Sequence, residues 1–200
     1  MRVYIDGENC RKGLVRALQD AGLIHGSREM TKYRLRDLLK DVLDIDDEPV
    51  ISYYASKIKL PYGYTPSREV MVHVDRIRKF SRHWVPNLEQ QKITYVKAGY
   101  LKVKSGVTCS NCGHTQDVLQ EKGVDVRLAT DVLEAAYTES GGTVALFSSD
   151  SDLIPALIKA KEQGTKISYV CFADYLNHAV SKVANETISI PTEKVKKYYT

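Results

Sequence analysis

Two carboxylates stand two residues apart in "VALFSSDSDLIPAL" (144–157), where Asp150 and Asp152 follow the most hydrophobic run of the chain and precede an apolar helical pattern. Residues i and i+2 of an extended segment share a face, so both side chains can point at one spot. Near the start, "RVYIDGEN" puts Asp6 at the end of another apolar run, with Gly7 suited to a tight turn and Asn9 close behind. Carboxylates gathered in a partly dry cleft repel and raise one another's pKa. A hard divalent cation removes that penalty: Mg²⁺ or Mn²⁺ takes oxygen ligands and keeps several waters. Such an ion can position and activate a water against a phosphodiester.

A second acidic stretch, "EKGVDVRLATDVLEAAY", reads as a helix with Leu128, Val132 and Ala135 or Ala136 on one stripe. Asp125 and Asp131 lie three residues before and after Leu128, on opposite flanks of that stripe. Both can reach the edge of a cleft, but helix geometry alone does not pair them. Each acid also has an ordinary reading: a helix cap for Asp125, an exposed position for Asp131, a helix N-terminal charge for Asp152. The residues by themselves support an acidic, cation-binding cleft.

Four cysteines are too few and too unevenly spaced for a disulfide framework. Cys10 and Cys171 suit small buried positions. "CSNCGH" is different: Cys109 and Cys112 form one zinc knuckle, for which His114 is a candidate third ligand and His73, His83 or another subunit a fourth. A turn with free thiols or a redox pair fits the same spacing.

Lys and Arg exceed Asp and Glu by 29 to 25, a net charge of +4 that permits a polyanionic partner without requiring one. Lys57, Lys59, Arg68, Arg76 and Arg82 stand among Tyr53, Tyr54, Tyr62, Tyr64 and Trp84. Basic side chains neutralise phosphates and aromatic faces stack unpaired bases, so this neighbourhood is the candidate strand-binding region. Packing in a core or a dimer face is the competing reading for Tyr53 and Tyr54, which sit inside a strand pattern.

These residues need elements to hold them. Strand patterns at 2–6, 49–56, 92–104, 143–149 and 166–172 alternate with helical patterns at 9–22, 31–43, about 66–84, 125–138, 152–163 and 174–183, Thr31 being the expected cap of the second helix. Alternating strands and helices imply a mainly parallel sheet covered on both faces. The pattern fails around "SGVTCSNCGHTQD", which reads as an excursion at about 105–121. The reading is one domain over 1–185 and a C-terminal segment with a basic tail over 186–200. With 43% hydrophobic residues the chain can bury a sizeable core, and no run approaches the roughly 20 apolar residues of a membrane span. With no signal-peptide pattern at the N-terminus, the expected location is the cytoplasm.

"YIDGEN", "EKGVDVRLATDV" and "LFSSDSDLIPALIKAKEQGTKI", in that order and framing about residues 1–180, resemble the NYN domain family, a branch of the PIN-like nucleases that includes the LabA-like or DUF88 bacterial proteins. The resemblance implies a PIN-like α/β sandwich and Mg²⁺- or Mn²⁺-dependent cleavage of single-stranded RNA. Carried over by position, it puts metal-site carboxylates at Asp6, Asp125, Asp150 and Asp152, with Asn9 and Asp131 in support. Ser149 stands where the family's late motif usually has glycine, and a side chain there is expected to narrow the substrate's approach. The alternative is an RNA-binding or regulatory module with the same acidic cleft; homo-oligomers remain open. An aspartyl phosphatase would want a second Asp where Glu8 stands, and a dinucleotide enzyme a glycine-rich turn where "DGENCRKG" stands.

Overall fold

The first strand, β1 (Arg2–Asp6), runs down the middle of the sheet and is buried on both faces. Its alternation sends Val3 and Ile5 to one side and Tyr4 to the other. In this computed structural model, which describes residues 1–60, 63, 65, 67–139 and 141–199, β1 pairs in parallel with β2 (Val50–Lys59) and with β5 (Thr143–Phe147). β2 continues to β3 (Ile93–Thr108) in parallel, and β3 turns back into β4 (Thr115–Lys122) as an antiparallel hairpin. On the other side β5 pairs with β6 (Lys166–Phe172) and β6 with β7 (Glu186–Ile190), both in parallel. The order is therefore β4-β3-β2-β1-β5-β6-β7. Winding goes outward from β1 through β2 and β3, then restarts on the far side with β5. The crevice where it reverses opens above the carboxyl ends of β1 and β5, the place where parallel α/β sheets bind ligands.

One face is covered by α1 (Gly7–Asp20), α2 (Leu35–Leu43), α3 (Arg68–Gln90) and α7 (Thr192–Lys197), around a core with Ile5, Leu14, Leu39, Trp84 and Val170. The other is covered by α4 (Val124–Thr138), α5 (Ile154–Glu162) and α6 (His178–Val183), around Tyr4, Tyr54, Leu128, Leu146 and Tyr169. This is the α/β sandwich that the strand and helix pattern implies, and it is consistent with the PIN-like fold that the resemblance implies. Among the described residues no helix is long and apolar enough to cross a membrane.

Local chemistry departs from the sequence reading at several points. The second helix starts at Leu35, after a 3-10 turn over Glu29–Lys32; Thr31 caps nothing and donates its hydroxyl to the Arg28 carbonyl. α3 begins at Arg68, with Ser67 Oγ accepting from Val70 N, and runs past Pro86 to Gln90 because Leu88 is anchored in the core. Pro61, Tyr62, Tyr64 and Pro66, in the expected loop before it, lie outside the described residues. The segment from 105 to 121 is the outer part of the β3–β4 hairpin. It hides from a period-2 reading because past Ala98, the extra residue of a β-bulge opposite Ala55 and Ser56, only one face of the ribbon meets α3. Residues from 186 on supply the edge strand β7 and the docked helix α7, whose Val195 is fully buried.

Candidate functional site

Each of the two strand-end aspartates doubles as a helix cap. Asp6 closes β1, and its Oδ1 accepts from Glu8 N (3.0 Å) and Asn9 N (3.1 Å), satisfying free donors of α1. The turn is possible because position 7 is glycine: a Cβ there would lie 2.4 Å from the Tyr53 ring and 2.5 Å from the Tyr54 carbonyl. Asp150 follows β5, and its Oδ1 accepts from Asp152 N (2.8 Å), opening the 3-10 turn Ser151–Leu153 that leads into α5. Both carboxylates thus sit at helix N-termini, where free backbone donors face them.

Ser148 joins them. Its buried hydroxyl donates to Asp6 Oδ2 (3.0 Å) and accepts from Asp150 N (3.2 Å). Asn9 Nδ2 also donates to Asp6 Oδ2, so Asp6, only 5% exposed, is held at both oxygens. Sequence reasoning passed over Ser148, although it stands inside "SSDSD" next to the residues it orients.

Asp125 enters from α4. The ordinary reading of Asp125 as a cap does not hold, because α4 is capped by Gly123 in the left-handed conformation (φ 89°), leaving Asp125 in the first turn. Burial, then the charges of Asp150 and Asp6, push the Asp125 carboxyl above its ordinary range, with Asp152 adding less. A second acid that the sequence reading missed, Glu121 of β4, is likewise raised by burial and then by Glu8, Asp6 and Asp125. Its signal was hidden with the hairpin. Asp131 is held elsewhere: it accepts from Tyr54 Oη (2.7 Å) and pairs with Arg127 (2.7 Å), fastening α4 to the sheet. Ser149 does not project into the cleft. Its hydroxyl donates to the Tyr175 carbonyl (2.7 Å) and lies 2.8 Å from Tyr169 Oη.

Among the described residues no three His, Cys, Asp or Glu side chains form a ready metal-ligand group. The donor set still fits a hard divalent cation in kind. It is all oxygen, drawn from Asp6, Asp150, Asp125 and the exposed Asp152, and the Asp125 carboxyl is raised by its burial and then by the charges of Asp150 and Asp6.

The hairpin tip is a tight turn, with Cys109 N donating to the His114 carbonyl (2.8 Å), Gly113 N donating to the Cys109 carbonyl (2.9 Å) and Gly113 at φ 70°. The backbone N–H groups of Cys112 and Asn111, and then the Cys112 thiol, hold the Cys109 thiol below its usual range. The carbonyl of His114 closes this turn; its imidazole, like His73 and His83, joins no ligand group with the thiols. Cys10 and Cys171 are buried, as expected.

The basic candidates separate into two places. Lys57 and Lys59 reach over the exposed ring of Tyr100, at 4.9 and 5.1 Å from its centre, and register aligns Lys57, Tyr100 and Lys122 across three strands with Lys59 and Lys102 in the next row. Arg68, Arg76 and Arg82 are spread over α3, and of these Arg76 borders a cavity beside α1. Tyr53, Tyr54 and Trp84 are 1–2% exposed and pack in the two cores.

A family profile described as the NYN domain matches residues 1–191. An uncharacterized protein of Methanocaldococcus jannaschii is 33% identical over 70 residues, covering 35% of this chain and 29% of that protein's length. Among solved structures, a protein of unknown function from Vibrio parahaemolyticus superposes with a TM-score of 0.48 at 12% identity, covering 94% of this chain and 91% of the other. A phosphofructokinase-2 variant from Escherichia coli gives 0.37 at 13% identity, covering 72% and 43%. With a profile match over essentially its whole length and a sheet that sets Asp6 beside Asp150 at the switch point, the chain belongs to the NYN domain family, whose fold is that of the PIN-like nucleases.

Proposed function

We propose that this protein is a cytoplasmic, Mg²⁺- or Mn²⁺-dependent ribonuclease that hydrolyses phosphodiester bonds of single-stranded RNA at the acidic crevice. The observation that carries the reading is the convergence of Asp6 and Asp150, bridged by Ser148, with an Asp125 carboxyl raised by burial and then by their charges. Asp6, Asp150 and Asp125 would hold the ion, with Asp152 at the exposed edge. When bound, the ion supplies an activated water and stabilises charge on the phosphate. Ser148 and Asn9 fix the orientation of Asp6, and α1 and the turn after β5 set the direction of both carboxylates.

The Lys57, Lys59 and Tyr100 cluster favours a second reading, an RNA-binding module that does not cut. One experiment separates the two. Labelled single-stranded RNA is incubated with the parent, Asp6→Asn and Asp150→Asn chains, in Mn²⁺ and in chelator. The expected result is metal-stimulated cleavage by the parent and a loss of at least about a hundredfold in each variant, in the range of removing one charge-stabilising group. RNA retained but never cut would establish the binding module, and equal cleavage by all three chains would remove the aspartates from the mechanism.

A further inference from the structure

Next to the acidic crevice, on the α1 and α3 side of the sheet, lies a cavity of about 660 Å³. That volume falls within the roughly 300–1,000 Å³ typical of small-molecule sites. It begins at Gly7, the residue after Asp6, and extends between α3 and the root of the β3–β4 hairpin. None of the carboxylates assigned to the ion lines it.

Its walls are aromatic and flat. Tyr53 and Tyr95 stack at 6.1 Å and 19°, and Phe80 and Trp84 at 5.6 Å and 25°; all four line the cavity, and Tyr95 is only half-buried. Trp84 is 1% exposed and its Nε1–H is buried on the Tyr53 side, so this ring backs the wall without opening onto the cavity. Glu121 and Glu8 offer carboxylate acceptors at the end toward the crevice. Arg76 stands exposed at the rim with no acidic partner among the described residues.

Flat stacking surface, carboxylate acceptors and a cation at the mouth are the complement of a nucleotide: a π-face, hydrogen-bonding edges and a phosphate. We propose that this cavity is a nucleobase pocket, which seats one unpaired base of the bound strand against Tyr95 with its phosphate at Arg76. The proposal rests on the ribonuclease reading for the identity of the strand. It adds a point at which the protein grips a base as well as the backbone, and fixes where along the strand the phosphodiester meets Asp6.

The chain has one tryptophan, so Trp84 fluorescence reports on the pocket. The full chain in chelator is titrated with AMP, CMP and ribose 5-phosphate. Saturable quenching by AMP and CMP, with none by ribose 5-phosphate at equal concentration, is expected. Tyr95→Ala should weaken the nucleotides by about tenfold, the loss of one base stack. Arg76→Ala, a surface change, should weaken them severalfold while leaving the emission of the free protein unchanged. No quenching, or equal quenching by ribose 5-phosphate, overturns the pocket. The two proposals fail separately: nucleotides that quench beside RNA left uncut keep the pocket and remove the ribonuclease, and cleavage without any quenching does the reverse.

Discussion

Asp6 Oδ1 caps α1 while its Oδ2 takes the Ser148 and Asn9 donors, and Asp150 Oδ1 caps the turn that follows the neighbouring strand. A capping aspartate is already fixed in direction; because Asp6 accepts four hydrogen bonds, an ion bound there would take the place of one of its side-chain donors, Ser148 or Asn9. Asp125 has no such support and carries the strain of the cluster. Its carboxyl is raised by burial and by Asp150 and Asp6, so the folded chain binds that proton more tightly than the unfolded one. The sign follows: the group favours folding below its ordinary pKa and opposes it as pH rises past that value. In chelator, Asp125→Asn should therefore be more stable than the parent at pH 8, and the advantage should shrink toward pH 4; urea midpoints at the two pH values measure it. An advantage equal at both would mean that Asp125 is not repelled by its neighbours. The strand-end acids were legible because an apolar run ending in Asp is conspicuous. Ser148, Glu121 and the anchored Ser149 were not, since each depends on a partner from a distant element: Asp6, the charges across the crevice, and Tyr175.

At the scale of elements, the clearest departure from sequence reading is the C-terminal one. "EKVKKYY" looks like a solvated basic tail, yet α7 lies on α1 and α2 with Val195 buried, and Tyr33 Oη donates to the Val195 carbonyl (2.8 Å). Charge holds it as well. Asp41 of α2 accepts from Tyr198 Oη (2.6 Å) and pairs with Lys194 (3.2 Å) and Lys197 (3.3 Å). The Tyr198 and Lys194 hydrogen bonds, before the smaller effect of Lys197, lower the Asp41 carboxyl to about 2. A depressed carboxyl contributes stability above its unfolded pKa and loses it as pH falls through the folded one. Asp41→Asn should thus speed amide exchange over 192–198 severalfold at pH 6, and the gap from the parent should close near pH 2. Exchange unchanged by the substitution would place the docking of α7 in its apolar contacts alone. Periodicity could not reveal the docking, because a six-residue helix with one buried valine leaves almost no pattern to detect.

Over the whole molecule, alternation of strands and helices predicted a parallel sheet, and it is one apart from the β3–β4 hairpin. What alternation cannot supply is strand order, and order alone makes Asp6 and Asp150 neighbours. Charge distribution is likewise a property of the assembled sheet. The rows Lys57–Tyr100–Lys122 and Lys59–Lys102 come from three strands and stand on the opposite face of the hairpin from Leu101 and Glu121, which line the cavity. A strand tracked by these lysines releases counterions on binding. Replacing Lys57 and Lys59 together with alanine should reduce the slope of log affinity against log salt by about 1.4, two single-strand phosphate contacts at about 0.7 each. Filter binding in chelator across a salt series reads it, and an unchanged slope would move the strand off this face.

The pairing of β1 with β5 also sets a schedule. Asp6 and Ser148 are 142 positions apart, and contacts so distant form late because the closing loop is long. As the chain leaves the ribosome, β1, β2, β3 and the hairpin can associate while β5 is still unmade. During that interval the edge of β1 that will take β5 is open, and no acidic centre exists. The chain therefore gains its two facing carboxylates only once β5 and Asp150 have been synthesised, and any product ending before Thr143 retains the lysine rows without the crevice.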